Sequence, residues 1–208
     1  MKVLVLGGFL GSGKTTVLMQ LAHYLVNHAE GGGTPVVIVE NEIGKNGVDN
    51  ELLARNNFAV ENIFSGCACC TNVGQLYDTV QQLESLYKPE WLIIEASGVA
   101  YPDNIRKTLK DTLDIDASIL ALVDVRRWSR VMRAMEQFVV AQLSGADVVL
   151  LTKVDLVENS VVEYVRTEVE KYAATEQVYP VCALEPQGDP FWEKVSRRLS
   201  MGGNSDGA

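Results

Sequence analysis

Gly8-Phe9-Leu10-Gly11-Ser12-Gly13-Lys14-Thr15 has the GxxxxGK[ST] pattern. Glycines at these positions let successive backbone N–H groups curl around phosphate oxygens, and a helix starting at the end of the motif adds the positive end of its dipole. Lys14 would reach the β- and γ-phosphates and the Thr15 hydroxyl would ligate Mg²⁺. A glycine-rich turn that merely begins a helix is the plain alternative. The apolar run Val3 to Leu6 before the motif and the helical spacing after it favour the phosphate loop.

Further along, Trp91-Leu92-Ile93-Ile94-Glu95 is an apolar strand ending in a carboxylate, and Ala96-Ser97-Gly98 follows at once. An acid at such a strand end can hold Mg²⁺ through water. Gly98 can offer its N–H to a γ-phosphate, which would make the segment sensitive to hydrolysis. A solvated acid ending a strand is the competing reading. Val148 to Leu151 runs into Thr152-Lys153-Val154-Asp155, a TKxD variant of the NKxD element. Asp155 would accept the N1–H and N2–H donors of guanine while the Lys153 stem lies over the base. Adenine presents the wrong donor pattern, at a cost of about 1–3 kcal/mol per buried unpaired group. Thr152 in place of Asn weakens the part of this inference that concerns bracing the phosphate loop.

Three of the chain's four cysteines, Cys67, Cys69 and Cys70, fall within Gly66-Cys67-Ala68-Cys69-Cys70. They lie between a strand expected around Val60 to Phe64 and a helix expected from near Thr71. Thiols near a helix N-terminus lose their protons more readily. Two or three such thiolates with one outside ligand suit Zn²⁺, and Co²⁺ or Ni²⁺ less selectively. A packed turn of small residues and redox chemistry are the other readings. The isolated Cys182, after the apolar run Val178 to Val181, reads as a small buried hydrophobe near the base pocket.

Positioning these groups requires strands at Val3 to Leu6, Val36 to Val39, Leu92 to Ile94, Ile119 to Val123, Val148 to Leu151 and Val178 to Val181. Most are separated by stretches with helical spacing. Leu18, Leu21, Ala22 and Leu25 follow the i, i+3, i+4, i+7 pattern and would pack the first helix on the sheet. The alternation implies an α/β fold of three layers, a mostly parallel central sheet with helices on both faces. One domain is expected over residues 1–200, followed by a flexible tail at 201–208. Residues 41–72 are the least regular stretch, and loops of that length inside a domain are usually functional.

Bulk properties narrow the partners. The chain has 208 residues, 18 basic and 27 acidic, for a formal charge of -9 and a pI near 4.8. This balance opposes a phosphate-backbone footprint, so nucleic acid is not an expected partner. With 47% hydrophobic residues and a mean hydropathy of +0.06 there is enough apolar material for a core. No window approaches the ~20 apolar residues of a membrane span. No export signal is evident, which makes cytoplasm the expected compartment.

The order GGFLGSGKTT, ENEIGKNGVD, GCACC, EASGVAYP and TKVD resembles the CobW/HypB/UreG family of metal-handling GTPases over residues 1 to about 185. The GCxCC element is similar to the CobW branch, whose members handle or deliver zinc or cobalt. The resemblance implies that Gly8, Gly11, Ser12, Gly13, Lys14, Thr15 and Thr16 bind the phosphates and that Lys153 and Asp155 read the base. It implies Glu42 and Glu95, with Thr15, as candidates for Mg²⁺ or the catalytic switch. Lys14, Glu95 and Gly98 are then the catalytic candidates, and Cys67, Cys69 and Cys70 the cargo site. Larger CobW-type proteins carry a further C-terminal domain, which is not expected here, and only His23 and His28 are present in these 208 residues. The length is closer to HypB and UreG, whose resemblance implies a nucleotide-dependent homodimer that hands nickel to an enzyme precursor.

The leading expectation is a Mg²⁺-dependent GTPase that gathers a divalent ion on its thiolates in the GTP state and releases it to a client metalloprotein after hydrolysis. A second reading is a GTPase that gates assembly or reactivation of a cofactor enzyme such as a corrinoid protein. A third, a small-molecule kinase or amidoligase, is opposed by TKVD, since such enzymes need no guanine reader.

Overall fold

Uninterrupted apolar runs cannot leave either side chain face in water, so strands of this kind pair in parallel and are covered on both sides. The computed structural model describes residues 1–30, 33–40, 58–62, 73–173 and 175–201 and shows this arrangement. Its strands are β1 (Lys2–Gly8), β2 (Val36–Glu40), β3 (Phe58–Asn62), β4 (Trp91–Glu95), β5 (Ala117–Asp124), β6 (Val148–Thr152) and β7 (Val178–Val181). They form one sheet in the order β3-β2-β4-β1-β5-β6-β7, with every described pairing parallel. The six strands expected from apolar runs are present. The one expected around Val60 to Phe64 starts earlier, because the buried Phe58 pairs with Val36 at the beginning of β2.

The described helices are α1 (Lys14–Asn27), α2 (Val73–Tyr87), α3 (Pro102–Leu113), α4 (Trp128–Leu143), α5 (Asn159–Ala173) and α6 (Asp189–Met201). Alternate strand residues feed opposite faces. Val3, Val5, Leu92 and Ile94 join the core beneath α2, α3, α4 and α5, whereas Leu4, Leu6, Ile93 and Leu120 join the one beneath α1 and α6. Leu18, Leu21, Ala22 and Leu25 of α1 are buried, as their spacing requires. Each fully buried aliphatic side chain contributes roughly 1.5–3 kcal/mol, so this double coverage stabilises the central strands most. No described helix is long and apolar enough to cross a membrane.

Parallel pairing also decides where chemistry can occur. The carboxyl ends of all described strands lie along one edge, where the loops leading to α1, α3, α4, α5 and α6 emerge. The chain leaves β1 toward β2 on one side and adds β5 to β7 on the other, which places the β1–α1 loop at the point where strand order diverges.

Candidate nucleotide site

The β1–α1 loop has the backbone its sequence demands. Gly8, Gly11 and Gly13 have φ of 142°, 75° and 92°, in the region that favours glycine. A Cβ on Gly8 would lie 2.8 Å from the Leu122 carbonyl, and one on Gly11 would lie 3.3 Å from Arg127 Nη1. Gly13 precedes α1 without any side-chain cap on the helix. Its first-turn N–H groups are therefore left for an external acceptor, the property that makes a helix N-terminus receive phosphate. Thr15 and Thr16 are exposed in that first turn.

Lys14 is buried, its ammonium donating to the Gly8 carbonyl at 3.1 Å. Ser12 is also buried, and its hydroxyl oxygen has no hydrogen-bond partner. That is costly in a finished protein interior and natural in a site that awaits polar atoms.

The β4 carboxyl end meets this loop. Glu95 pairs in register with Leu6 and with Glu40, and Ala96 N–H donates to the Leu6 carbonyl at 2.9 Å. A Cβ on Gly98 would stand 2.8 Å from the Leu10 nitrogen, so only glycine allows the two loops to touch this closely. The Ser97 hydroxyl between Glu95 and Gly98 is buried without a hydrogen-bond partner. Gln142 of α4, 3% exposed, donates its amide N–H groups to the carbonyls of Gly98 at 3.2 Å and Ala100 at 3.1 Å. This tie between the loop and α4 has no local sequence signal.

The TKVD segment closes the other side. Thr152, with no exposed surface, places its hydroxyl 2.7 Å from the Ser12 carbonyl and donates to it. The bracing of the phosphate loop, weakened in the sequence reading by the loss of Asn, is made by a shorter side chain. Lys153 adopts a left-handed conformation (φ 61°) and donates to the Gly11 carbonyl at 2.6 Å and to Asp124 at 2.7 Å. Asp155 follows, exposed and open to a ligand. Gln20 of α1 donates to the Ala183 carbonyl at 2.8 Å and accepts the Gln187 N–H at 3.1 Å, which holds the loop after β7 against α1. Cys182 in that loop is half-buried rather than buried, because the loop turns outward beyond Val181.

Gly8, Gly11, Ser12, Gly13, Lys14, Thr15, Thr16, Glu95, Gly98, Lys153 and Asp155 are therefore gathered at one edge of the sheet. Asp124, Arg127 and Gln142 join them without having been singled out in the sequence. Glu42, Cys67, Cys69 and Cys70 lie outside the described residues, as does Thr71. A mostly apolar cavity beside the loop is lined by Phe9, Leu122, Trp128 and Val131, with Asp124, Arg127 and Gln142 also on its wall.

Comparisons with known proteins agree with this geometry. A family model described as "CobW/HypB/UreG, nucleotide-binding domain" matches residues 2–180. The zinc chaperone YjiA of Escherichia coli is 32% identical over 74% of this chain and 49% of its own length. The zinc-regulated GTPase metalloprotein activator 1 of Dictyostelium discoideum is 27% identical over 93% of this chain and 50% of its own. The chain thus spans about half the length of these relatives. The crystal structure of HypB from Helicobacter pylori in complex with nickel shares the fold with a TM-score of 0.66, at 18% identity over 100% of this chain and 91% of that one. Motif order, sheet topology and the match over most of the chain together place this protein in the CobW/HypB/UreG family.

Proposed function

We propose that this chain is the GTP-hydrolysing unit of a metal-handling protein, binding Mg²⁺·GTP at the carboxyl edge of its sheet and coupling nucleotide state to a divalent transition metal held by Cys67, Cys69 and Cys70. One observation carries the nucleotide part of this reading. Lys153, next to the guanine-reading Asp155, is hydrogen-bonded to Gly11 of the phosphate loop. The phosphate and base elements are therefore braced against each other.

The residues divide the work. The uncapped α1 N-terminus and the loop N–H groups hold the phosphates. Lys14 exchanges the Gly8 carbonyl for phosphate oxygens and offsets charge that grows on the transferring group. Gly98, packed on Leu10, offers its N–H at the γ end. The exposed Thr15 hydroxyl and the Glu95 carboxylate are hard oxygen donors that suit Mg²⁺, with Glu42 as a further candidate. That ion, when bound, supplies positive charge to the β- and γ-phosphate oxygens. Asp155 selects guanine by accepting the two N–H donors of the base.

The relatives named as zinc chaperones and a zinc-regulated activator support zinc as cargo, and the thiolate cluster is soft enough for Zn²⁺ with Co²⁺ and Ni²⁺ as weaker alternatives. The client would be a metalloprotein or cofactor enzyme, approached by a nucleotide-dependent dimer in the cytoplasm. Because Cys67, Cys69 and Cys70 stand between the end of β3 and α2, nucleotide contacts that order the flanking loops would lower the entropy cost of gathering the thiolates. Competition titration of Zn²⁺ against a chromophoric chelator, with a hydrolysis-resistant GTP analogue and with GDP, tests this coupling. The expected result is one ion per chain, bound roughly 5- to 150-fold more tightly in the triphosphate state and weakened by Cys69→Ser. Equal affinities in the two states would leave a GTPase without nucleotide-driven metal handling.

A further inference from the structure

Lys153 is not the only cation that grips the apex of the phosphate loop. Arg127, at the end of a 3-10 turn (Val125–Arg127) between β5 and α4, donates from Nη1 to the Leu10 carbonyl at 2.9 Å. Lys153 takes the next carbonyl, that of Gly11. The two cations leave different strand ends but depend on one carboxylate. Asp124 accepts the Arg126 N–H at 3.1 Å through Oδ1, which caps the turn that presents Arg127, and pairs with Lys153 at 2.7 Å through Oδ2. Among the described residues Arg127 has no carboxylate partner, and its side chain is half-buried against the loop. A guanidinium usually seeks a carboxylate or phosphate, so its commitment to a backbone carbonyl at this position calls for a reason.

The reason lies in the geometry of the peptide bond. No described peptide is cis, so the N–H of Gly11 points away from the Leu10 carbonyl that Arg127 holds. Fixing that carbonyl fixes the direction of the N–H. The Leu10–Gly11 peptide is also next to Gly98, whose backbone touches Leu10. It therefore lies at the γ end of the phosphate site.

We propose that Arg127 is a positioning residue of the phosphate loop: its hydrogen bond to the Leu10 carbonyl aims the Gly11 N–H at the β–γ region of a bound triphosphate. This rests on the nucleotide-site reading above and deepens it. A diphosphate, which lacks the γ-phosphoryl group, gains little from an N–H aimed there. Loss of the Arg127 hydrogen bond should therefore weaken the triphosphate selectively. Arg127→Met keeps much of the length and apolar stem but removes every donor, while Arg127→Lys keeps one.

The test titrates the full chain, in Mg²⁺, with a hydrolysis-resistant GTP analogue and with GDP, and measures turnover of GTP alongside. For Arg127→Met the expected result is about a tenfold drop in the ratio of triphosphate to diphosphate affinity, the equivalent of one charge-assisted hydrogen bond of roughly 1.4 kcal/mol, with an unchanged thermal midpoint. Turnover should fall in kcat by a similar factor, and Arg127→Lys should return both quantities to within about threefold of wild type. An affinity ratio in Arg127→Met equal to that of wild type overturns the assignment, as does a lysine variant no better than methionine. The affinity ratio needs no hydrolysis, so an inactive wild type would count against the GTPase reading while the positioning role is judged separately.

Discussion

The two edges of the sheet treat polar groups in opposite ways. At the amino edge, donors and acceptors find partners within the protein. Asp147, just before β6, accepts the Ile119 N–H at 2.8 Å, Ser118 Oγ donates to the Leu199 carbonyl, and Arg106 donates to the Gly145 carbonyl at 2.9 Å. At the carboxyl edge, Ser12 and Ser97 keep buried hydroxyls without hydrogen-bond partners, and α1 starts with no side-chain cap. Four side chains there, those of Lys14, Thr152, Lys153 and Arg127, donate to carbonyls of the phosphate loop. A loop whose carbonyls are occupied from behind has its N–H groups free to face an anion. The difference between the edges is thus the difference between a hydrogen-bond network closed for stability and one left open for a ligand.

The largest expected break in this contrast is Lys14→Ala. Removing a charge that offsets the growing charge of the phosphoryl group should lower GTP turnover by on the order of 10²-fold or more, with a smaller shift of the thermal midpoint from the lost bond to the Gly8 carbonyl. A phosphate-release assay at wild-type rate in this variant would remove Lys14 from the site. Next comes Asp155→Asn, which exchanges the acceptor of guanine donors for an amide that can donate to the xanthine oxygen. Relative affinity for guanine over xanthine triphosphate should fall by about 5- to 150-fold, as expected for losing about 1–3 kcal/mol of pairing. An unchanged ranking would take Asp155 out of the base site.

Thr152→Val sharpens the comparison from the packing side. It preserves shape at a position with no exposed surface but leaves the Ser12 carbonyl without its donor. A loss of about 1–2 kcal/mol in denaturant unfolding, with a matching weakening of nucleotide affinity, is expected. If nucleotide affinity stays level while stability falls, the hydroxyl serves folding and not the loop.

The smallest effect belongs to the amino edge. Burial pushes the Asp147 carboxyl above its ordinary range, against the opposing pull of the Ile119 N–H and of Arg106 and Arg198. The folded state therefore holds this proton more tightly than the unfolded chain does. That contribution is present below the unfolded carboxylate pKa and is lost as pH rises through the raised folded value. Asp147→Asn keeps an oxygen for the Ile119 N–H but cannot ionise. Unfolding stability measured from about pH 3 to 7 should lose its decline over that window, by less than about 1.4 kcal/mol per pH unit, with GTP turnover unaffected. Superimposable stability profiles for the two proteins would place the titration elsewhere.

What could be read from the sequence was what is local. The phosphate loop, the β4 acid with its following glycine and the TKVD element each lie within a few residues, and the strand runs before them show in their hydropathy. Parallel strands buried on both faces need continuous apolar residues, so Val3 to Leu6 and Val148 to Leu151 announce themselves. The family resemblance rested on these stretches together with ENEIGKNGVD and GCACC, and the match over residues 2–180 agrees with it. Glu42 and the three clustered cysteines remain sequence readings, since they lie outside the described residues.

Only the tertiary structure brought Asp124, Arg127 and Gln142 to the site. Arg127 reaches Leu10 across 117 residues of sequence and Gln142 reaches Gly98 across 44, and no spacing rule links such pairs. The same holds for Thr152, whose contact with Ser12 spans 140 residues and reversed the expectation drawn from the missing asparagine. Local chemistry specifies which backbone groups can bind a phosphate. Strand order decides which distant side chains stand behind those groups, because it alone brings the ends of β1, β4, β5 and β6 to one edge.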